Sequence, residues 1–166
     1  LLRAGYGIVV CEQVGVPGET KGPMRREVSR ILTPGTVVED GLSDASQDLW
    51  VAAISGWDHQ FALALGSVGR AEILLLDGLD QTHLEAALAR YRPADLLLQD
   101  GLDSPSNELA YVATAAWHFS QENLRREIDR TYGVADPAGL GLTDVSSACQ
   151  GGLAALLTYF HDTQRT

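Results

Sequence analysis

The sequence has little of what covalent and metal chemistry needs. Its 166 residues include two cysteines and one methionine. Cys11 and Cys149 stand far apart in apolar contexts, with no Cys-x-x-Cys pair and no histidine at ligand spacing. That gives a zinc site or a structural disulfide little support and predicts two reduced, buried thiols. No apolar run reaches the length of a membrane span, because charge or glycine interrupts each one. No basic segment leads into an apolar signal core. The chain starts at Leu1 without an initiator methionine, as if inside a domain. There is no internal repeat and no low-complexity stretch. Positive charge is also scarce, with 12 Lys and Arg against 22 Asp and Glu and a net charge of −10. A free-standing nucleic-acid binder would need a basic face to displace counterions from phosphate.

Catalytic signatures are missing too. A phosphate-binding P-loop needs Gly-x-x-x-x-Gly-Lys-Ser/Thr, and the nearest string, Gly18-Glu19-Thr20-Lys21-Gly22, does not fit. No ATPase site is carried here. His59, His83, His118 and His161 have no neighbouring Ser or Cys with an acidic orienter, which leaves no visible nucleophile arrangement.

What is present is a core. Apolar residues make up 45% of the chain, enough for one compact domain with an appendage. The charge is uneven. Residues 1–36 hold Arg3, Lys21, Arg25, Arg26 and Arg30 against Glu12, Glu19 and Glu27, a net of +2, which leaves the remainder at −12. Any nucleic-acid contact is therefore expected at the front of the chain.

The pattern of that front segment predicts a last helical turn over Leu1–Tyr6, a strand over Gly7–Val14, a Gly/Pro loop over Gly15–Pro23 and a basic strand over Arg25–Leu32. Thr33-Pro34-Gly35-Thr36 is turn chemistry and marks a boundary. Glu39–Asp48 reads as a linker. Leu49–Ser55, Gln60–Leu65 and Ala71–Leu76 are short apolar runs separated by Gly56-Trp57-Asp58-His59 and by Gly66–Gly69, the pattern of an antiparallel meander. From Asp80 to Tyr91 the period becomes helical, with Asp80 or Thr82 as cap and Pro93 as stop. Asp95–Gln99 reads as a buried strand. Asn107–Thr114 suggests a short helix and Ala115–Phe119 a strand. Gln121–Tyr132 is an amphipathic helix ended by Gly133. Gly139–Leu142 is a loop, and Asp144 or Ser146 caps a final helix running to about His161.

A meander followed by α and β elements is similar to the ribonuclease H-like fold. A two-metal nuclease of that kind needs acids at the central strand edges. LWVAAIS and QFALAL contain none. Glu72 and Asp77 lie on or after the third strand without an evident partner, and Asp95 and Asp100 flank the fourth. All four read as solvated strand-end acids. On the basic strand, alternation puts Arg26, Val28 and Arg30 on one face, where the arginines could meet phosphate or pair with acids of the body. The polar face of Gln121–Tyr132 carries Arg125, Arg126, Asp129 and Arg130, either an ordinary solvated face or a docking surface.

Four strings carry a family resemblance: CEQVGVPGETKGPMRREVSRILTPGT, Ser67-Val68-Gly69, Arg92-Pro93-Ala94-Asp95-Leu96-Leu97 and the closing LLTYFHDTQRT. Together they resemble MutS, the bacterial DNA mismatch sensor, over nearly the whole chain. The departure is Leu65, where the family usually has an Asp before the Ser-x-Gly turn. The resemblance implies that residues 1–36 are the end of an α/β mismatch-recognition domain. It implies that residues 37–166 are a connector domain of α/β, ribonuclease H-like class, a mixed sheet with flanking helices. It further implies a non-catalytic fragment that relays conformational change and docks MutL. DNA-contact candidates are then Lys21, Arg26 and Arg30. Docking candidates are Arg125, Arg126 and Asp129, and the hinge is Thr33, Pro34 and Gly35. No cofactor or metal belongs to this fragment; ATP and Mg²⁺ belong to the parent protein, expected to be cytoplasmic, homodimeric, free of membrane and bound to mismatched duplex DNA. The alternatives are a divergent ribonuclease H-like nuclease and a stand-alone interaction module.

Overall fold

Strands whose side chains are apolar on both faces need cover on both faces, and that requirement organises the fold. The computed structural model describes residues 2–4, 6–14, 25–36, 49–103, 110–134 and 136–164. Within them β1 (Ile8–Val14) and β2 (Arg25–Leu32) form an antiparallel hairpin, preceded by a short 3-10 turn over Leu2–Ala4. The body follows. β3 (Val51–Trp57), β4 (Gln60–Ser67) and β5 (Glu72–Leu79) make the antiparallel meander. α1 (Gln81–Tyr91) returns the chain, and β6 (Asp95–Gln99) and β7 (Val112–Thr114) add in parallel beside β3. The strand order is β5-β4-β3-β6-β7. This is the mixed α/β sheet with flanking helices that the sequence led us to expect.

β3 is buried from Val51 to Ser55 because successive residues meet different layers. Ala52 and Ile54, with Leu63, Leu65, Leu96 and Leu98, pack on Leu84 and Leu88 of α1. Val51 and Ala53, with Ala64 and Leu97, pack on Phe119 and on Ala155 and Leu156 of α3 (Ser147–Thr163). α2 (Gln121–Tyr132) covers the outside of α3 through Leu124 and Ile128. α3 is thus clasped between sheet and helix, and an unbroken buried run from Gly151 to Thr158 follows. Among the described residues no helix is long and apolar enough to cross a membrane.

Local chemistry sets the ends. Asp58 and His59 both take positive φ, 48° and 62°, the backbone of a tight primed turn joining β3 to β4. Asp80 caps α1 by accepting from the His83 amide, Ser120 caps α2 by accepting from Asn123, and Ser146 caps α3 by accepting from Cys149. Asp144 instead lies in a 3-10 turn, Leu142–Asp144, and a second such turn, Pro137–Leu140, overlaps the start of the loop expected over Gly139–Leu142.

Three expectations fail locally. Val112–Thr114 is an edge strand and not the end of a helix. Ala116–Phe119 is a 3-10 turn and not a strand, because Phe119 has to turn under α3, where it is buried. Leu2–Ala4 is a 3-10 turn in place of an α-helical one. The loop read over Gly15–Pro23, the linker over Glu39–Asp48 and residues 107–109 of the helix read from Asn107 fall outside the described residues, while residues 110 and 111 are not helical.

Candidate functional site

The hairpin and the body meet at Thr33-Pro34-Gly35-Thr36, and one carboxylate organises the meeting. Asp95 opens β6. Its Oδ2 accepts from the Thr33 hydroxyl at 2.7 Å and from the Gly35 amide at 2.7 Å. With its proton committed to Asp95, the Thr33 hydroxyl accepts from Thr36 Oγ1 at 2.6 Å. The Thr36 carbonyl in turn accepts from Gln164 Nε2 at 2.7 Å, just past the end of α3. Tyr159 of α3 turns its hydroxyl toward Thr33 and Asp95. Burial pushes that phenol up to about 12, the bond to Thr33 works against the shift, and the Asp95 charge adds to it. Thr33 and Thr36 are 8% and 2% exposed.

Gly35 is required by space. A Cβ there would sit 2.5 Å from Asp95 Oδ2 and 2.7 Å from Val51 Cγ2. The three residues read as a hinge, Thr33, Pro34 and Gly35, are therefore seated against β6, β3 and the end of α3.

The cations of the hairpin are arranged differently from the simple alternation. The register pairs Cys11 with Val28 but Val10 with Arg30, so Ser29 is an extra residue. This β-bulge puts Arg30 on the face of Val10, while Arg26, opposite Gln13, shares the face of Cys11. The placement of Arg26, Val28 and Arg30 on one face is thereby corrected. Both arginines are exposed. Lys21 lies outside the described residues. Cys11 is exposed, against the expectation of two buried thiols; Cys149 is buried, and neither is paired. Burial, with the Asp77 charge adding, raises the Cys149 thiol to about 12, which leaves it inert.

On α2, Arg125 and Asp129 are exposed one turn apart. Arg126 is committed to its own helix and the preceding turn. It bonds Asn123 Oδ1 and, at 3.1 Å, Glu127 Oε1, and its guanidinium lies over Trp117, 5.8 Å from the ring centroid. Glu127 is 1% exposed and accepts from His161 Nδ1 of α3 at 2.5 Å. Burial alone would raise this carboxyl, but the bonds from His161 and Arg126 outweigh it and hold the group below its usual range. Asn123, also buried, donates to the His118 carbonyl and to Thr158 Oγ1 at 2.7 and 2.9 Å. This polar seam between α2 and α3 was not singled out from the sequence. Its signal was there: Asn123 and Glu127 sit one turn apart beside the apolar Leu124–Ile128 stripe, where a polar residue faces inward.

Three of the four strand acids have structural partners. Glu72 pairs with Arg70 at 2.8 Å, and Asp77 accepts from the Ser146 amide and hydroxyl, both at 2.7 Å. The reading of Glu72 and Asp77 as partnerless is corrected. For Asp77 burial acts upward, and the Ser146 bonds prevail and lower its pKa. Asp95 holds the junction turn, and Asp100 is exposed. Among the described residues no three His, Cys, Asp or Glu side chains converge as a metal site.

Two family models match the chain: MutS domain I over residues 1–41 and MutS domain II over residues 50–166.

Proposed function

The chain belongs to the MutS family of DNA mismatch repair proteins, and on that premise we propose that it is a coupling module. Both matched domains are non-catalytic parts of MutS. In this reading the body is a connector. It carries conformational change between the DNA-reading part and an ATPase that uses ATP and Mg²⁺ elsewhere in the parent, a cytoplasmic homodimer. Its exposed α2 face docks a MutL-type partner. The turn at Thr33, Pro34 and Gly35 is the joint between DNA-reading segment and connector.

The observation that carries this reading is the direct seating of the domain I turn on the domain II sheet through Asp95. A relay needs a stiff connection, and a turn bonded to a central strand and to the end of a buried helix supplies one. The tying of Glu72, Asp77 and Asp95 into the fold leaves the nuclease alternative without an observation in its favour.

The test is a pull-down of the chain against a MutL-type protein at physiological salt, with mismatched duplex DNA as parallel ligand. The expected result is capture of MutL without DNA. Arg125→Glu combined with Asp129→Lys reduces that capture by about fivefold, the scale of exposed charges at an interface. Arg126 is left intact because it braces Trp117 and Glu127. Unchanged capture by the double variant would remove the α2 face from the docking surface.

A further inference from the structure

We infer that Asp95 is a latch that makes the N-terminal hairpin and the last turn of α3 one mechanical unit. The inference rests on the connector reading and adds a residue and a mechanism to it.

Three separate chain regions converge on this carboxylate. The junction turn reaches it through the Thr33 hydroxyl and the Gly35 amide, both at 2.7 Å and both on the same oxygen, Oδ2. β6 supplies it, beside Val51 of β3 in the register of the parallel pair. α3 reaches the same place twice, through Tyr159, whose hydroxyl faces Thr33 and Asp95, and through Gln164, bonded to the Thr36 carbonyl at 2.7 Å. The ties meet in one turn: Asp95 accepts from the Thr33 hydroxyl, Thr33 Oγ1 accepts from Thr36 Oγ1, and the backbone carbonyl of Thr36, a separate group, accepts from Gln164. Because these ties share one short turn, loosening it at Asp95 is expected to loosen its hold on Gln164 as well.

The latch is also selective about what it admits. Gly35 alone fits, since any Cβ would press on Asp95 Oδ2 and Val51 Cγ2. An ionised carboxylate accepting from an amide and a hydroxyl is a stronger tie than a neutral acceptor in the same position. The latch so inferred has two states, of which the structure holds the engaged one. Engaged, hairpin and α3 end are fixed to the sheet. Released, the turn at Thr33–Gly35 becomes the free hinge.

Amide hydrogen exchange on the complete chain tests this. Asp95→Ala is expected to raise exchange at the Gly35 amide by at least about tenfold, the effect of losing a part-buried bond to a charged acceptor, and Thr33→Val, which leaves the Gly35–Asp95 bond in place, by a smaller factor. They also raise exchange across residues 159–164 by a comparable factor. α1, on the opposite face of the sheet, keeps its wild-type protection. Asp95→Asn retains an acceptor oxygen and gives a smaller increase at both places. If Asp95→Ala unfolds the chain, Thr33→Val and Asp95→Asn decide by the same pattern. Loss of protection at Gly35 with residues 159–164 unchanged would overturn the inference and reduce the contact to a local turn. So would wild-type protection at Gly35 in Thr33→Val. No MutL enters this measurement, so its failure leaves the docking result standing, and failed docking leaves the latch standing.

Discussion

Glu127 is the residue whose environment carries the clearest energetic consequence. It is an acid buried between two helices, and its charge is maintained by His161 from α3 and Arg126 from its own helix. Its folded pKa lies below the ordinary 4.5. A carboxylate depressed on folding contributes stability that is complete above the unfolded value and is lost as pH falls through the folded one. Glu127→Gln is therefore expected to cost about 1–3 kcal/mol at pH 7, the scale of a disrupted buried charge-assisted bond. At a pH well below 4.5 the difference shrinks, because the stability that the carboxylate contributes is lost as pH falls through its lowered folded value. Urea titrations of both proteins at the two pH values check this. An equal gap at both would mean that the charge of Glu127 is not what matters.

At the scale of elements, α3 shows why close packing can reverse an intrinsic propensity. Alanine normally favours a helix over glycine by about 1 kcal/mol. At Gly151 the added Cβ would lie 2.5 Å from the Phe119 carbonyl oxygen, a backbone atom of the adjacent 3-10 turn. Gly151→Ala is expected to lower stability by about 1–3 kcal/mol, the usual effect of overpacking, and thermal melts would read it directly. A stabilised variant would mean that the turn at Ala116–Phe119 yields easily.

That turn also marks how far the sequence was legible. β3, β4, β6, α1 and α2 were readable because each repeats its period over several residues, and the acid-free apolar strands required cover on both faces. β7 pairs over three residues, too few to show a period, and Ala116–Phe119 follows the tertiary demand to bury Phe119. The junction was legible as turn chemistry but not as a contact. Thr33-Pro34-Gly35-Thr36 announces a turn, whereas its bond to Asp95 spans about sixty positions that no local pattern connects. The bulge at Ser29 was invisible for a similar reason, since it is defined only against the partner strand.

Taken whole, the molecule sets a hairpin region of net +2 against a remainder of −12 within a total of −10. That asymmetry constrains what the two exposed arginines of β2 can do. With the bulge between them they point to opposite faces, so a single run of phosphates passing one face reaches only one of them. Arg30 lies three residues before Thr33, which is bonded to Asp95 of the body, and Arg26 lies toward the far end of the hairpin. Arg26 is then the phosphate candidate, and Arg30 is expected to brace the junction. In the intact mismatch repair protein we predict that Arg26→Ala weakens duplex binding regardless of sequence and lowers the salt slope by about 1. Arg30→Ala should leave the slope unchanged while lowering the melting temperature. Binding measured across a salt series for both variants separates the roles. Equal slope losses would show that one backbone reaches both faces, against the register of the hairpin.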